Sequence, residues 1–280
     1  MREVQTIPLL TGHCRHPEAM TITGGSLRPV AFPAVAMLLI HPDEGPILFD
    51  TGYDPAFLAA TARLPERFYR WATPVTLPAG RDAASQLRGR GIEPGDVRHV
   101  VLSHFHGDHV AGLHAFPRAA IHCARAGLDD LAQRGRLGAT RRGLLPALLP
   151  TDLTARARFF EDAPRSALPA AFHPFADGAD LLGDGSLLAV ELPGHCPGHW
   201  GLALNDARWG LHFLVADAAW SLRAIEQDRP PPALTMAWLG NAARTRETLH
   251  NLHLLTCRNP ELRLSPCHCP VRAAEAVEPQ

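Results

Sequence analysis

The feature that most constrains this chain is a polar motif that directly follows an apolar strand. Residues 100–102 are Val-Val-Leu, a composition that predicts a short buried strand. Because side chains alternate along a strand, His104 and His106 share one side if the extended backbone continues, and Gly107 permits the turn that follows. Imidazoles and carboxylates at this spacing are typical ligands of zinc-like ions, although an exposed histidine-rich loop is the alternative. Within six positions the motif holds His104, His106, Asp108 and His109.

Composition excludes several kinds of chemistry. The 280 residues are 46% hydrophobic and 20% charged, which suits one large domain or two small ones, and we expect a single domain over residues 1–280. All 27 residues counted as Lys+Arg are arginine, so a phosphate-loop lysine, a Schiff-base lysine and a Ser-Lys dyad are excluded. The net charge of -1 favours neither nucleic acid nor an anionic membrane as a partner.

The N-terminal segment and the cysteines predict a cytoplasmic protein. Residues 1–5 contain no basic stretch followed by an apolar core, so we expect no signal peptide, and no apolar run approaches membrane-spanning length. Without a secretory signal, thiols stay reduced in the cytosol. The cysteine spacing matches no zinc-finger pattern, so each thiol is interpreted as a small, partly buried group. The six are Cys14, Cys123, Cys196, Cys257, Cys267 and Cys269.

The order of apolar and turn-forming segments predicts two sets of strands, each followed by helices. Such an order indicates two sheets packed together with helices outside. We expect strands over 1–10, 35–40, 46–49, 97–102, 119–123, 186–192, 201–204, 209–216 and 262–264. We expect helices over 55–72, 82–90 and 241–256.

Two less regular segments are expected beside the site. The N-terminal loop 11–30 contains His13, Cys14 and His16, and we interpret it as a wall of the site in preference to a second metal site. The insertion 124–175 contains a basic stretch and several prolines. It is either a lid or substrate wall that flanks the site or a solvated group of short helices, and the sequence does not separate these alternatives.

Three later strand ends each present one further metal-type residue: His195, Asp217 and His268. Together with the four residues of the first motif they make seven candidate ligands, enough for two ions. His199 is interpreted as a residue that orients the loop after His195. Cys267 and Cys269 flank His268 and would point away from its face in an extended segment, so we leave both out of the set of ligands.

Taken together, these motifs resemble the metallo-β-lactamase superfamily. The match consists of the 104–109 motif, the Pro-Gly-His-Cys-Pro-Gly-His run at 193–199, Asp217 and His268, and it begins with the hairpin that ends at 49–52. The resemblance implies an α/β fold, an αββα sandwich with a dinuclear metal site at the edge of the two sheets. It implies one ion held by His104, His106 and His195, a second held by Asp108, His109 and His268, and Asp217 as the bridge.

Within the superfamily, the chain looks most similar to the N-acyl homoserine lactone lactonases and the related organophosphate hydrolases. Glyoxalase II enzymes carry a helical C-terminal domain, whereas only eleven residues follow Cys269 here, which weakens that alternative. One departure concerns the substrate pocket. Lactonases of this type usually have a tyrosine three residues after the bridging aspartate, and this chain has Trp220 at that distance from Asp217. We interpret Trp220 as an apolar wall of the substrate pocket, and packing against the core beneath the site is the alternative.

The resemblance implies a metal-dependent hydrolase with two divalent ions, taken as zinc. A hydroxide that bridges the ions would attack the carbonyl of a lactone or other carboxylic ester, and Asp108 would orient it and return a proton to the leaving group. The alternatives are a phosphotriester hydrolase, a glyoxalase II-like thioesterase and, in a different class, a non-catalytic metal-binding protein. The expected partner is a small-molecule substrate, with no nucleic acid and no membrane. The oligomeric state, including a homodimer, stays open.

Overall fold

The structure, a computed structural model, describes residues 1–276, and two packed β-sheets form its centre. The first sheet contains β1 (Glu3–Pro17), β2 (Pro29–His41), β3 (Gly45–Phe49), β4 (Val75–Thr76), β5 (His99–Val101), β6 (Ala120–Cys123) and β7 (Ala157–Phe159). Its strand order is β7-β6-β5-β3-β2-β1, with β4 beside β1. Pairing is antiparallel among β1, β2 and β3 and parallel from β3 to β7, so the ends of β3, β5 and β6 lie at one edge.

The second sheet is mostly antiparallel. It contains β8 (Arg165–Ala167), β9 (Asp177–Asp180), β10 (Leu188–Glu191), β11 (Trp200–Asp206), β12 (Gly210–Ala216) and β13 (Arg263–Pro266). The strands follow one another in chain order, and only the pairing of β12 with β13 is parallel. A short parallel contact between β1 and β11 joins the two sheets.

Short helices connect the strands, and one long helix covers the second sheet. The helices are α1 (Pro55–Ala60), α2 (Arg67–Ala72), α3 (Ala83–Arg88), α4 (Gly107–Val110), α5 (Arg125–Ala132), α6 (Arg136–Arg141), α7 (Leu153–Arg156), α8 (Leu222–Glu226), α9 (Ala233–Leu239), α10 (Ala242–Arg258) and α11 (Pro270–Glu275). Six single-turn 3-10 helices lie at Glu18–Met20, Pro94–Asp96, Leu113–Ala115, Pro146–Leu148, Phe160–Asp162 and Ala170–Phe172. Among residues 1–276, every helix falls short of the length and apolar character that crossing a membrane requires.

Three buried apolar clusters show how the layers pack. Leu39 of the first sheet and Leu202 of the second belong to the cluster between the sheets. Leu87 of α3 packs on the outer face of the first sheet, and Leu249 of α10 packs on the outer face of the second. Helices therefore cover both outer faces of a two-sheet core, which confirms the predicted αββα sandwich.

The prediction of a loop over 11–30 is wrong at both of its ends. Strand β1 continues to Pro17 and pairs with β2 back to Pro29, after a bulge at Gly12, whose φ is +107°. A glycine at a bulge and prolines within a long two-stranded ribbon are compatible with strand structure, although in the sequence they are typical of a loop. Only residues 18–28 lie outside the two strands.

Two other predicted segments also differ from the structure. The helix expected over 55–72 is divided into α1 and α2, because the intervening residues include Pro65, which cannot continue a helix. The insertion 124–175 contributes β7 and β8 to the two sheets, so it is partly integral to the sandwich. The remaining predicted strands and helices are present with shifted ends.

Candidate metal centre

Four strand ends deliver the seven predicted ligands to one place. His104 and His106 follow β5, and α4 begins directly after His106 and carries Asp108 and His109. The other three ligands follow the ends of β10, β12 and β13. All seven side chains are buried, and the most exposed of them, Asp108, is only 9% exposed. The structure thus brings together His104, His106, Asp108, His109, His195, Asp217 and His268.

The first cluster consists of three imidazoles. Nδ1 of His106 lies 3.0 Å from Nε2 of His104 and 3.0 Å from Nε2 of His195. Bonds of about 2.0–2.1 Å to one tetrahedral zinc separate two nitrogens by about 3.3 Å, so this spacing fits a shared ion. Burial lowers the pKa of His106 to about 4 and the pKa values of His104 and His195 well below their usual range. The three rings are therefore neutral near pH 7, which is the form that binds metals.

The second cluster combines imidazoles with carboxylates. Oδ1 of Asp217 lies 3.3 Å from Nε2 of His268 and 3.6 Å from Nε2 of His109. The other oxygen of Asp217 lies 3.2 Å from Nε2 of His195 in the first cluster. Oδ2 of Asp108 is 3.4 Å from Nε2 of His268. Asp217 thus lies between the two clusters, with one oxygen facing each of them.

The electrostatics of the second cluster fit a cation. Burial acts to lower the pKa of His109, but the carboxylates of Asp50, Asp108 and Asp217 raise it well above its usual range. Burial likewise acts to raise the pKa of Asp217, and the imidazoles of His268, His109 and His195 hold it well below its usual range. Nε2 of His109 is buried and has no hydrogen-bond partner among the described residues. A divalent ion would satisfy this nitrogen and neutralise the carboxylates.

Hydrogen bonds to the outer ring nitrogens orient the imidazoles. Nδ1 of His109 lies 2.8 Å from Oδ2 of Asp50, and Nδ1 of His268 lies 2.7 Å from the carbonyl oxygen of Pro33. Each Nδ1 faces an acceptor and so carries the proton, which leaves Nε2 as the donor to a metal. Asp50 thus orients the ring of a candidate ligand.

His199 lies behind the bridging carboxylate. Its Nδ1 donates to the carbonyl oxygen of Leu192 at 3.0 Å, and its Nε2 accepts the backbone amide of Asp217 at 3.1 Å. The ring therefore links the loop after β10 to the end of β12, a geometry consistent with the orienting role expected for His199.

The expectation that the side chain of Cys267 points away from the candidate ligands is wrong. Its Sγ lies 2.5 Å from Oδ1 of Asp217, and the side chain is buried. The argument from strand alternation fails because β13 ends at Pro266 and the chain turns at Cys267 and His268. Cys196 also lies near a cluster, that of His104, His106 and His195, whereas Cys269 belongs to neither cluster.

A cavity of about 640 Å³ opens onto the two clusters. Its walls include Cys14 and His16 from β1 and Leu137 from α6, so parts of both flanking segments line it, whereas His13 does not. The indole of Trp220 lies edge-on to the rings of His195 and His268, with 5.9 Å between ring centres in each case. The remaining walls are largely apolar and include Phe32, Phe68 and Trp238.

The apolar pattern of the sequence does not predict one polar residue of the cavity wall, Tyr69. Tyr69 lies on α2, and its hydroxyl donates to Oδ1 of Asp108 at 3.4 Å. In the sequence it falls within an apolar helical stripe, where an aromatic residue predicts core packing. The only available signal was the scarcity of tyrosine, since Tyr53 and Tyr69 are the two in the chain and both line the cavity.

A two-sheet sandwich with helices outside and a buried cluster of histidines and aspartates at the strand ends defines a class of metal-binding proteins. A sequence profile of the metallo-beta-lactamase superfamily matches residues 31–211. The chain belongs to this superfamily, whose members bind metal ions.

Curated relatives are similar in sequence to part of this chain. A probable metallo-hydrolase of Mycobacterium tuberculosis is 33% identical over 181 residues, which cover 63% of this chain and 54% of that protein. The chain thus spans about half the length of this relative. The N-acyl homoserine lactonase AttM of Azorhizobium caulinodans is 29% identical over 195 residues, which cover 68% of this chain and 66% of that protein.

Solved structures show the same fold over nearly the whole chain. A variant of AiiA from B. thuringiensis, with N-decanoyl-L-homoserine bound at its active site, superposes with a TM-score of 0.72 at 18% identity and covers 98% of this chain and 96% of its own. The dizinc quorum-quenching lactonase AidC superposes with a TM-score of 0.63 at 15% identity, covering 96% and 88%. At these identities the likeness concerns the fold.

Proposed function

We propose that this chain is a metal-dependent hydrolase of lactones or other carboxylic esters that uses two divalent ions, taken as zinc. The observation that supports this most strongly is the convergence of seven buried donors beside an apolar cavity. When bound, two divalent ions would lower the pKa of a water molecule enough for hydroxide to exist near neutral pH, and would stabilise the charge that develops on a carbonyl oxygen. The sequence similarity to the N-acyl homoserine lactonase AttM of Azorhizobium caulinodans supports the same class of substrate.

The ligand assignment follows the two clusters. His104, His106 and His195 would hold one ion, since their nitrogens converge and are neutral. His109 and His268 would hold the other together with Asp108, and Asp217 would contact both. Imidazoles bind a metal in their neutral form, so an ion at the second cluster would displace the proton that the neighbouring carboxylates favour on His109.

Asp108 would carry protons during the reaction. Its carboxylate lines the cavity and lies between the second cluster and the hydroxyl of Tyr69. A carboxylate in this position can accept a proton from the attacking water and return it to the leaving alcohol. The hydrogen bond from Tyr69 would hold the carboxylate in one orientation while this occurs.

The cavity walls favour substrates with an apolar acyl or aryl group. Trp220 stands beside two candidate ligands, and its indole N–H can donate a hydrogen bond but cannot accept one. Phe32 and Phe68 supply further apolar wall, and the volume of about 640 Å³ lies in the range of small-molecule sites. The cavity has candidate metal ligands on one side and apolar side chains along its other walls. A substrate whose carbonyl lies near the metals and whose apolar chain lies along these walls would fit it.

The test is a turnover screen over one lactone, one aryl ester, one thioester and one phosphotriester with the metal-loaded protein. We expect kcat/KM to be highest on a lactone or aryl ester and to vanish after chelation. His106→Gln should abolish turnover. His122→Gln is the matched control, because His122 is equally buried but lies outside both clusters. Turnover that survives chelation, or a preference for the thioester or phosphotriester, would contradict the proposal.

A further inference from the structure

We propose that Cys267 is an additional ligand of the metal centre, with its sulfur bound to the ion held by His109 and His268. The inference rests on the proposed metal-dependent function and deepens it. The metal centre would then contain a thiolate in addition to nitrogen and oxygen donors.

The backbone at the ends of β12 and β13 places Cys267 at the centre. The pairing of these strands is irregular between Leu214 and Ala216, and the amide of Cys267 donates to the carbonyl of Ala216 at 3.3 Å. Ala216 has a φ of +45°, a left-handed conformation that is strained for a residue other than glycine. The next residue is Asp217, so the strained turn and the ladder hold Asp217 and Cys267 side by side.

Four donor atoms, including the sulfur of Cys267, converge at this point. One donor each from His109, Asp217, Cys267 and His268 lies within 4.8 Å of the other three, and all four residues are buried. Nitrogen, oxygen and sulfur are all donors that zinc binds, and with the carboxylate of Asp108 these atoms would make five donors to one ion. The unpartnered Nε2 of His109 is a second, independent sign that this cluster faces an ion.

Cys267 fits this role better than the other nearby thiol. The first cluster already has three imidazoles, and an oxygen of Asp217 lies 3.2 Å from Nε2 of His195, so four donors are present without Cys196. The second cluster also has four donors, namely two imidazoles, the other oxygen of Asp217 and the carboxylate of Asp108. The sulfur of Cys267, however, lies 2.5 Å from that oxygen of Asp217, whereas among the described residues Cys196 makes no such contact with a candidate ligand, so Cys267 would be a further donor to the second ion. When the sulfur binds, a sulfur–metal bond replaces the S–H bond and the proton leaves to solvent.

The direct test is cobalt substitution. Chelator-treated protein is titrated with Co²⁺, and absorption is recorded in the visible range, where bound cobalt absorbs, and in the near ultraviolet, where sulfur-to-cobalt charge transfer occurs. We expect both bands in the wild type and loss of the charge-transfer band in Cys267→Ser. Cys269→Ser is the matched control, because Cys269 is 1% exposed, lies two residues away and belongs to neither cluster. It should keep both bands.

The other outcomes of the cobalt titration would contradict the proposal. Visible bands without charge transfer in the wild type, or a charge-transfer band that survives in Cys267→Ser and disappears in Cys196→Ser, would overturn the assignment while leaving the metal centre in place. No cobalt absorption at all would overturn the proposed function together with this inference.

A measurement on the wild type avoids any substitution that fails to fold. X-ray absorption of the zinc-loaded protein should contain a sulfur shell at about 2.3 Å in addition to nitrogen and oxygen at about 2.0–2.1 Å. A spectrum that needs only nitrogen and oxygen would overturn the assignment. Zinc affinity, measured by competition with a chelator, should fall about tenfold or more in Cys267→Ser and stay unchanged in Cys269→Ser.

Discussion

Oδ2 of Asp50 lies 2.8 Å from Nδ1 of His109, and this contact links the turn after β3 to the second metal cluster. Asp50 also accepts from the amide and the hydroxyl of Ser103, at 2.8 and 2.7 Å. One carboxylate therefore fixes both the start of the histidine motif and the ring of its last member. Metal-binding histidines commonly depend on such a partner.

Asp50→Asn should weaken metal binding. The change keeps the shape of the side chain but removes the charge that orients the His109 ring, so we expect zinc affinity to fall about 10- to 100-fold. Competition with a chelator measures it. Asp54→Asn is the control, because the Asp54 carboxylate accepts the amide of Ala56 at the start of α1, outside the site. Equal affinities for the two variants would contradict the role given to Asp50.

Asp108→Asn should lower kcat strongly and leave the fold intact. An amide cannot carry the proton, and loss of a general acid or base costs about 10²- to 10⁴-fold in rate. Elemental analysis of the same sample separates loss of proton transfer from loss of metal. A variant that keeps two ions per chain and wild-type turnover on an ester would show that Asp108 has no such role.

Removal of the metal should lower the melting temperature. The ligands come from four strand ends distant in sequence, so the ion ties segments that would otherwise separate. An ion present at about 1,000 times its dissociation constant adds about 4 kcal/mol, or roughly 10 °C for a chain of this size. Calorimetry before and after chelation checks this, and zinc should restore the original curve. Identical curves would mean that the site and the fold are not coupled.

Trp220→Tyr should shift substrate preference towards lactones. A phenol can donate, accept and ionise, whereas an indole only donates and is bulkier, so we expect the wild type to favour activated aryl esters. The measurement is the ratio of kcat/KM for one lactone and one aryl ester. Trp209→Tyr is the control, because Trp209 is 41% exposed and does not line the cavity. An unchanged ratio in a folded, metal-loaded Trp220 variant would place this residue outside substrate contact.

Local sequence was sufficient to predict the layered fold and the seven residues that converge. Two sets of strands, each followed by helices, indicate two packed sheets, and His104, His106 and Asp217 lie where strands end. Strand composition and residue spacing are local properties, so the sequence alone is sufficient to determine them. The misassigned loop 11–30 shows the limit, since Gly12 and the prolines of β1 and β2 carry loop-like signals that only a paired partner strand overrides.

Contacts between distant segments were decided only by the tertiary structure. The pairing of Cys267 with Asp217 depends on where β13 stops, and the contact of Tyr69 with Asp108 depends on where α2 packs. The same is true of Asp50, which reaches a histidine 59 positions later. A side chain's direction at the end of a strand is determined by packing and by the first turn of the following loop, and neither is encoded in the spacing of residues along the chain.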